Sequence, residues 1–209
     1  QKISSNNSPL LQAMQLKQSL RYGENPHQSA SWYSRPNTGW GGSIQIQGKE
    51  LSTNNLLDLE AALATVREFG YGQEGEKPCL EAAAVVIKHT NPCGLSTAYS
   101  KVESIKMAFD SDPVSAFGSI IGVDYEVDED VAKFLSKKFV ELIIAPSFSH
   151  EALEVLKKKK NMRLLVQDLE MIDPMPSVRS VFGGWLVQDH DDGLETKSDF
   201  NIVTERKVK

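Results

Sequence analysis

Cysteine is scarce. The chain of 209 residues has two, Cys79 and Cys93. They could pair, but no secretion signal accompanies them, and reduced thiols in a cytoplasmic protein are the reading. No run of about 18 apolar residues occurs, which excludes a membrane-spanning helix. The opening Gln-Lys-Ile-Ser-Ser-Asn-Asn-Ser-Pro lacks the apolar centre of a signal peptide. Basic residues are not in excess. The net charge is −5, which argues against broad binding to nucleic acid. An anionic ligand would need local Arg, Lys and backbone N–H groups. No internal repeat is visible.

Several motifs are also missing. There is no Walker A pattern and no G-x-G-x-x-G, so the ordinary nucleotide loops are excluded. Pro92-Cys93-Gly94 matches half of the zinc deaminase signature, which requires H-x-E and P-C-x-x-C. Here Ser96 stands three residues after Cys93, and His27, His89 and His150 are not followed by Glu at the second place. No metal is expected.

What is present suits a folded protein. The composition is 40% hydrophobic and 24% charged, enough for one large domain or two small ones. Residues 1–18 read as a polar linker or tail, and a start at Gln rather than Met suggests that something preceded it. Residues 30–50 read as short strands around a Gly-rich turn, with period-2 alternation over 43–47. Residues 55–69 predict a helix, with Leu56, Leu59, Leu63 and Val66 on one face and Gly70 as its stop. Residues 72–77 predict an exposed loop.

Residues 82–88, Ala-Ala-Ala-Val-Val-Ile-Lys, predict a strand apolar on both faces and central in a sheet. Helices are expected over 97–110, over 129–138 behind Asp128 as N-cap, and over 150–160 behind Ser149. The lysine run 157–160 reads as a solvated helix end. Strands are expected over 117–124, 140–145 and 162–167. The alternation predicts an α/β fold: a layered, largely parallel sheet with helices on both faces. The last 40 or so residues read as irregular or antiparallel β with a polar tail.

Four places could carry chemistry. Lys88-His89 ends a strand, and strand carboxyl ends gather ligands in α/β sheets. A turn begun by Asn91-Pro92 would let both side chains reach one crevice, where a neighbouring cation keeps an imidazole neutral and basic. The plain alternative is a Lys and a His in solvent. Leu20 to Gln28 packs Arg21, Tyr22, Asn25, His27 and Gln28 together, with Arg21 suited to a phosphate, or is a surface turn. Ser115 to Ser119 offers close backbone approach at Gly118 and a ring at Phe117, or is tight helix–strand packing. Glu141 interrupts an apolar strand and needs a partner, unless it faces water.

Together, L-R-Y-G-E-N-P-H-Q (20–28), L-S-T-N-N-L-L-D (51–58), I-K-H-T-N-P-C-G (87–94), D-P-V-S-A-F-G (112–118) and V-E-L-I-I-A-P (140–146) resemble, in this order, the AICAR transformylase family. That is the formyltransferase half of the bifunctional purine enzyme whose other half is IMP cyclohydrolase.

The resemblance implies a cytidine-deaminase-like fold, present twice, that uses no zinc. It implies formyl transfer from 10-formyltetrahydrofolate, as co-substrate, to the 5-amino group of AICAR, in the penultimate step to IMP. It implies Lys88 and His89 as the catalytic pair. Arg21 and Tyr22 would hold the nucleotide, while Phe117, Gly118, Glu141 and, as a weaker addition, Asn55 would line its site. A homodimer is implied for the full-length enzyme, with no nucleic acid or membrane partner. Residues 19–209 would then be the first half of the transformylase domain, without the cyclohydrolase domain and the second half. The competing reading is a non-catalytic α/β module that binds a phosphorylated small molecule.

Overall fold

The computed structural model describes residues 14–70, 82–168 and 176–189. The expected loop 72–77, Cys79 and the tail from residue 190 lie outside the described residues. The chain divides into two compact units, residues 1–172 and 173–209. The first contains, in order, β1 (Gln15–Leu20), β2 (Ala30–Ser34), α1 (Gly39–Gly42), β3 (Ile44–Gln47), α2 (Thr53–Gly70), β4 (Ala82–Lys88), β5 (Asn91–Ala98), α3 (Lys101–Ser111), β6 (Ser119–Val123), α4 (Glu129–Ser136), β7 (Val140–Ala145), α5 (His150–Leu156) and β8 (Arg163–Val166). The second contains an antiparallel hairpin, β9 (Ser177–Val181) with β10 (Gly184–Gln188).

Six strands of the first unit form one sheet in the order β3-β8-β7-β6-β4-β5. β6, β7 and β8 pair in parallel. β5 pairs antiparallel with β4, and β4 antiparallel with β6. β3 is antiparallel to β8. Four strands therefore point one way, and β4 and β3 point the other.

The reversal at β4 follows from β5, a strand that the sequence reading took for a turn leading into a helix. Asn91-Pro92 and the small polar residues after it give little strand signal. They suit an edge, where a missing N–H and exposed side chains are tolerated. With β5 in place, β5-α3-β6 is a crossover between parallel strands that straddles β4. β1 corrects a second expectation, since residues 15–18 belong to a hairpin with β2 rather than to a linker. Their polarity reflects a ribbon largely exposed to solvent.

Both faces of the sheet are packed. On one face Ala84 and Val86 of β4 join Ile105 and Phe109 of α3, Val131 and Leu135 of α4, and Leu156 of α5. On the other, Ala83, Val85 and Ile87 meet Leu59, Ala62 and Val66 of α2. A run that is apolar at every position is thus explained by a strand buried on both sides.

The caps act as read. The Val131 N–H donates to Asp128 Oδ1 at 3.0 Å, and the Ala152 N–H to Ser149 Oγ at 3.1 Å. α5 stops at Leu156, short of the expected 160. Gln47 Nε2 lies 3.1 Å from the Leu156 carbonyl, the last of α5, and 3.1 Å from the Lys159 carbonyl beyond it.

Candidate active site

The α2 start is built from Ser52 and Asn55. The Asn55 N–H donates to Ser52 Oγ at 3.2 Å, and the Ser52 N–H donates to Asn55 Oδ1 at 3.1 Å. This is a reciprocal capping box with Asn in the place of Glu or Gln. Three polar groups of the helix start then reach outward to three separate segments.

Thr53 Oγ1 donates to the Tyr22 carbonyl at 2.9 Å. Asn55 Nδ2 donates to Glu141 Oε2 at 3.3 Å. Asp58 Oδ1 accepts from the Thr90 N–H at 2.7 Å. The Arg21-Tyr22 loop, β7 and the end of β4 are thereby joined to one helix terminus.

The β4 end is a tight hairpin. Lys88 pairs with Asn91, so His89 and Thr90 alone form the turn. Both have positive φ, 53° and 62°, the sign required at both centres of a type I′ turn. The reversal is therefore at His89-Thr90, and not at Asn91-Pro92 as the sequence suggested. Left-handed backbone is uncommon for non-glycine residues, and for a β-branched Thr it is an outlier. Lys88 Nζ donates to the Phe117 carbonyl at 2.7 Å. Among the described residues nothing hydrogen-bonds the His89 imidazole, which is exposed.

The loop before β6 is closed by its own polar groups. Ser115 Oγ donates to Asp112 Oδ2 at 2.6 Å, and its N–H to Oδ1 at 3.0 Å. The Ser115 hydroxyl and N–H lower the Asp112 pKa below the ordinary carboxylate value. Gly118 has φ 76°, and its N–H donates to the Phe139 carbonyl at 2.8 Å. The Phe117 and Phe139 rings lie 4.7 Å apart and both are largely exposed.

Glu141 is the extra residue of a bulge in β7, opposite the step from Ser119 to Ile120. Arg163 Nη1 stands 4.0 Å from its carboxylate, and Arg163 Nε donates to the Lys49 and Glu50 carbonyls. Burial lowers the Arg163 pKa and the Glu141 charge opposes that shift.

The Arg21 loop closes on itself, with the Gly23 N–H on Gln28 O at 2.8 Å and the Asn25 N–H on Gln28 Oε1 at 2.7 Å. The Arg21 guanidinium sits 5.7 Å from the centre of the Tyr22 ring.

The structure thus links Tyr22, Asn55, Glu141, and the Lys88-His89 turn through α2, and Lys88 to Phe117-Gly118. Both ends of the Asn55 amide are engaged within the protein. Sequence reasoning missed Thr53, Asp58 and Arg163. Asp58 closes one of the quoted motifs, and Arg163 is a cation inside an apolar strand, so each had a local signal. Cys93 packs against the core, and burial, with Asp112, raises its thiol pKa while Lys88 opposes this.

β4 runs against its neighbours, so its carboxyl end is the amino end of β6, β7 and β8. The carboxyl-end rule for parallel sheets does not locate this cluster. Among the described residues no helix is long and apolar enough to cross a membrane, and no group of three His, Cys, Asp or Glu could hold a metal ion.

The chain belongs to the AICARFT/IMPCHase bienzyme family, whose model matches residues 1–209. It is 54% identical to the bifunctional purine biosynthesis protein PurH of Synechococcus sp. (strain CC9605), over 95% of this chain and 38% of that protein. It is 50% identical to the PurH of Prochlorococcus marinus (strain MIT 9303), over 98% of this chain and 40% of that protein. The chain therefore spans about two fifths of the length of these relatives. Among solved structures, the dCMP deaminase of cyanophage S-TIM5 aligns with a TM-score of 0.37 at 13% identity, over 48% of this chain and 90% of that one. That likeness is too slight to argue from.

Proposed function

We propose that, of the two activities in the family name, this chain carries part of the formyltransferase, which moves a formyl group from 10-formyltetrahydrofolate to the 5-amino group of AICAR. The observation that supports this most is the α2 terminus. It ties a loop bearing Arg21, a carboxylate at Glu141 and a turn bearing Lys88 and His89 to one end of the sheet.

The chemistry needs those groups. The amine of AICAR is a weak nucleophile, because its lone pair is delocalised into the ring and carboxamide. A neutral His89 takes its proton as it attacks the formyl carbon. The formyl oxygen gains negative charge in the tetrahedral intermediate. Lys88 spends one N–H on Phe117 O, and two remain to stabilise that oxygen. The intermediate collapses by breaking the bond from the formyl carbon to folate N10, and tetrahydrofolate leaves with the proton returned by His89. Arg21 grips the nucleotide phosphate, and Tyr22, Phe117, Gly118 and Glu141 surround the base and ribose. Asn55 acts through Glu141.

The proposal includes a folate co-substrate, no metal, a cytoplasmic location and a homodimer in the full-length enzyme. It also includes a deaminase-like fold repeated in residues outside this chain.

The test is His89→Ala in a full-length bifunctional enzyme carrying this sequence. Formyl transfer should fall by roughly 10²–10⁴, while ring closure of supplied formylated nucleotide continues. Near-normal formyl transfer would overturn the assignment. Loss of ring closure alone would give the site to the other activity.

A further inference from the structure

We infer that Asp58 is a positioning residue that aims the His89 turn, an inference that rests on the formyl-transfer reading above. The turn is costly to hold. Left-handed backbone in an L-residue costs roughly 1–2 kcal/mol, and His89 and Thr90 both adopt it. Neither is the Gly, Asn or Asp that a type I′ turn favours. Such conformations persist only where the surroundings over-determine them.

Within the turn, Thr90 Oγ1 and Asn91 Nδ2 both donate to the His89 carbonyl at 2.7 Å, and two contacts reach it from outside. On one side Lys88 Nζ binds the Phe117 carbonyl at 2.7 Å. On the other, Asp58 Oδ1 takes the Thr90 N–H at 2.7 Å. The second contact holds the residue that is least suited to its backbone. It also ties the tip of the turn to a different element, and so sets its height above α2.

The placement of Asp58 fits this role. It lies one helical turn beyond Asn55, on the same face of α2. Asn55 holds Glu141 while Asp58 holds the turn. One rigid helix start therefore fixes the relative position of two groups that are far apart in sequence. Because His89 directly precedes Thr90 and has no side-chain partner of its own among the described residues, its aim depends on the backbone that Asp58 secures. A catalytic group displaced by about 1 Å can lose roughly 10² in rate.

The experiment uses the full-length bifunctional enzyme and three variants, Asp58→Ala, Asp58→Asn and Asp58→Ala with Thr90→Gly. Formyl transfer is measured as kcat and KM for AICAR. Asp58→Ala should lower kcat by roughly 10² and leave KM nearly unchanged, since Arg21 is untouched. Asp58→Asn keeps an acceptor oxygen and should recover most of the rate. Thr90→Gly removes the backbone penalty and should restore part of it without any acceptor.

Amide exchange at Thr90 provides a readout that does not depend on activity, and it should quicken in Asp58→Ala and not in Asp58→Asn. Full turnover in Asp58→Ala, beside an inactive His89→Ala enzyme, overturns the inference and leaves the functional reading standing. If His89→Ala is itself fully active, the functional reading fails instead. Thr90 exchange then decides whether Asp58 holds the turn. If Asp58→Ala does not fold, Asp58→Asn with near-normal kcat and slow Thr90 exchange supports the acceptor role, and loss of both overturns it.

Discussion

Gly94 lies in the segment around the Lys-His turn, where a glycine could serve either close ligand approach or packing. The geometry favours packing. A Cβ built on Gly94 would sit 1.9 Å from the Ala108 carbonyl oxygen, 2.9 Å from its carbon and 3.0 Å from Ser111 Cβ. The nearest atoms belong to the backbone of α3, so no side chain can rotate away. β5 and α3 would have to part by more than an ångström to reach ordinary contact.

Overpacking of a filled core usually costs about 1–3 kcal/mol, with more where nothing can yield. Against it, Gly→Ala gains at most about 1 kcal/mol by stiffening the unfolded chain. Gly94→Ala should therefore destabilise by roughly 3 kcal/mol. That lowers the midpoint by about 6–12 °C for a chain of this size. Urea unfolding followed by circular dichroism measures this, with Gly184→Ala as the control, since a Cβ there meets nothing within 4 Å. A loss below about 1 kcal/mol, the common range for a surface change, would refute the packing argument.

Two smaller predictions test the frame of the sheet and the loop before β6. Asp128→Ala removes the acceptor of the Val131 N–H and should cost about 1 kcal/mol in the same unfolding assay. The Asp112 carboxyl is held low first by the Ser115 hydroxyl. A depressed folded pKa adds stability above the unfolded value, and that stability is lost as pH falls through the folded value. Ser115→Ala should raise the Asp112 pKa toward its ordinary value in an NMR titration, and the stability lost on acidification should shrink accordingly.

How much of this was legible before folding depended on how local the cause was. Asp128 and Ser149 cap helices because the acceptor and the N–H lie three residues apart, and the sequence shows both. β4 was legible because burial on two faces requires an unbroken apolar run. β5 was not, because an edge strand that contains Pro and Gly has the composition of a loop. The turn was misplaced for a related reason. Asn91-Pro92 carries the usual turn residues, while His89-Thr90 carries none, and contacts from α2 and the 112–118 loop join the turn's own hydrogen bonds in holding that reversal. Asp58 and Arg163 were overlooked because their partners lie 32 residues away at Thr90 and 22 away at Glu141.

The misplaced turn bears on why a buried strand should end in Lys-His. Within a strand, neighbours point to opposite faces, and Lys88 and His89 could not have served one centre. A turn at Asn91-Pro92 would have left that alternation intact through His89. Placing His89 itself in left-handed backbone releases it from the pleat, one residue after Lys88 has left the core. Two adjacent residues can then occupy the same end of the sheet, at the cost of a strained turn. The hairpin partner of that turn is the edge strand β5, which also makes β4 antiparallel to β6. The reversal of β4 and the freedom of His89 therefore have a single cause. It is the two-residue turn, and it also brings the end of β4 beside the amino ends of β6 and β7, where Phe117, Gly118 and Glu141 stand.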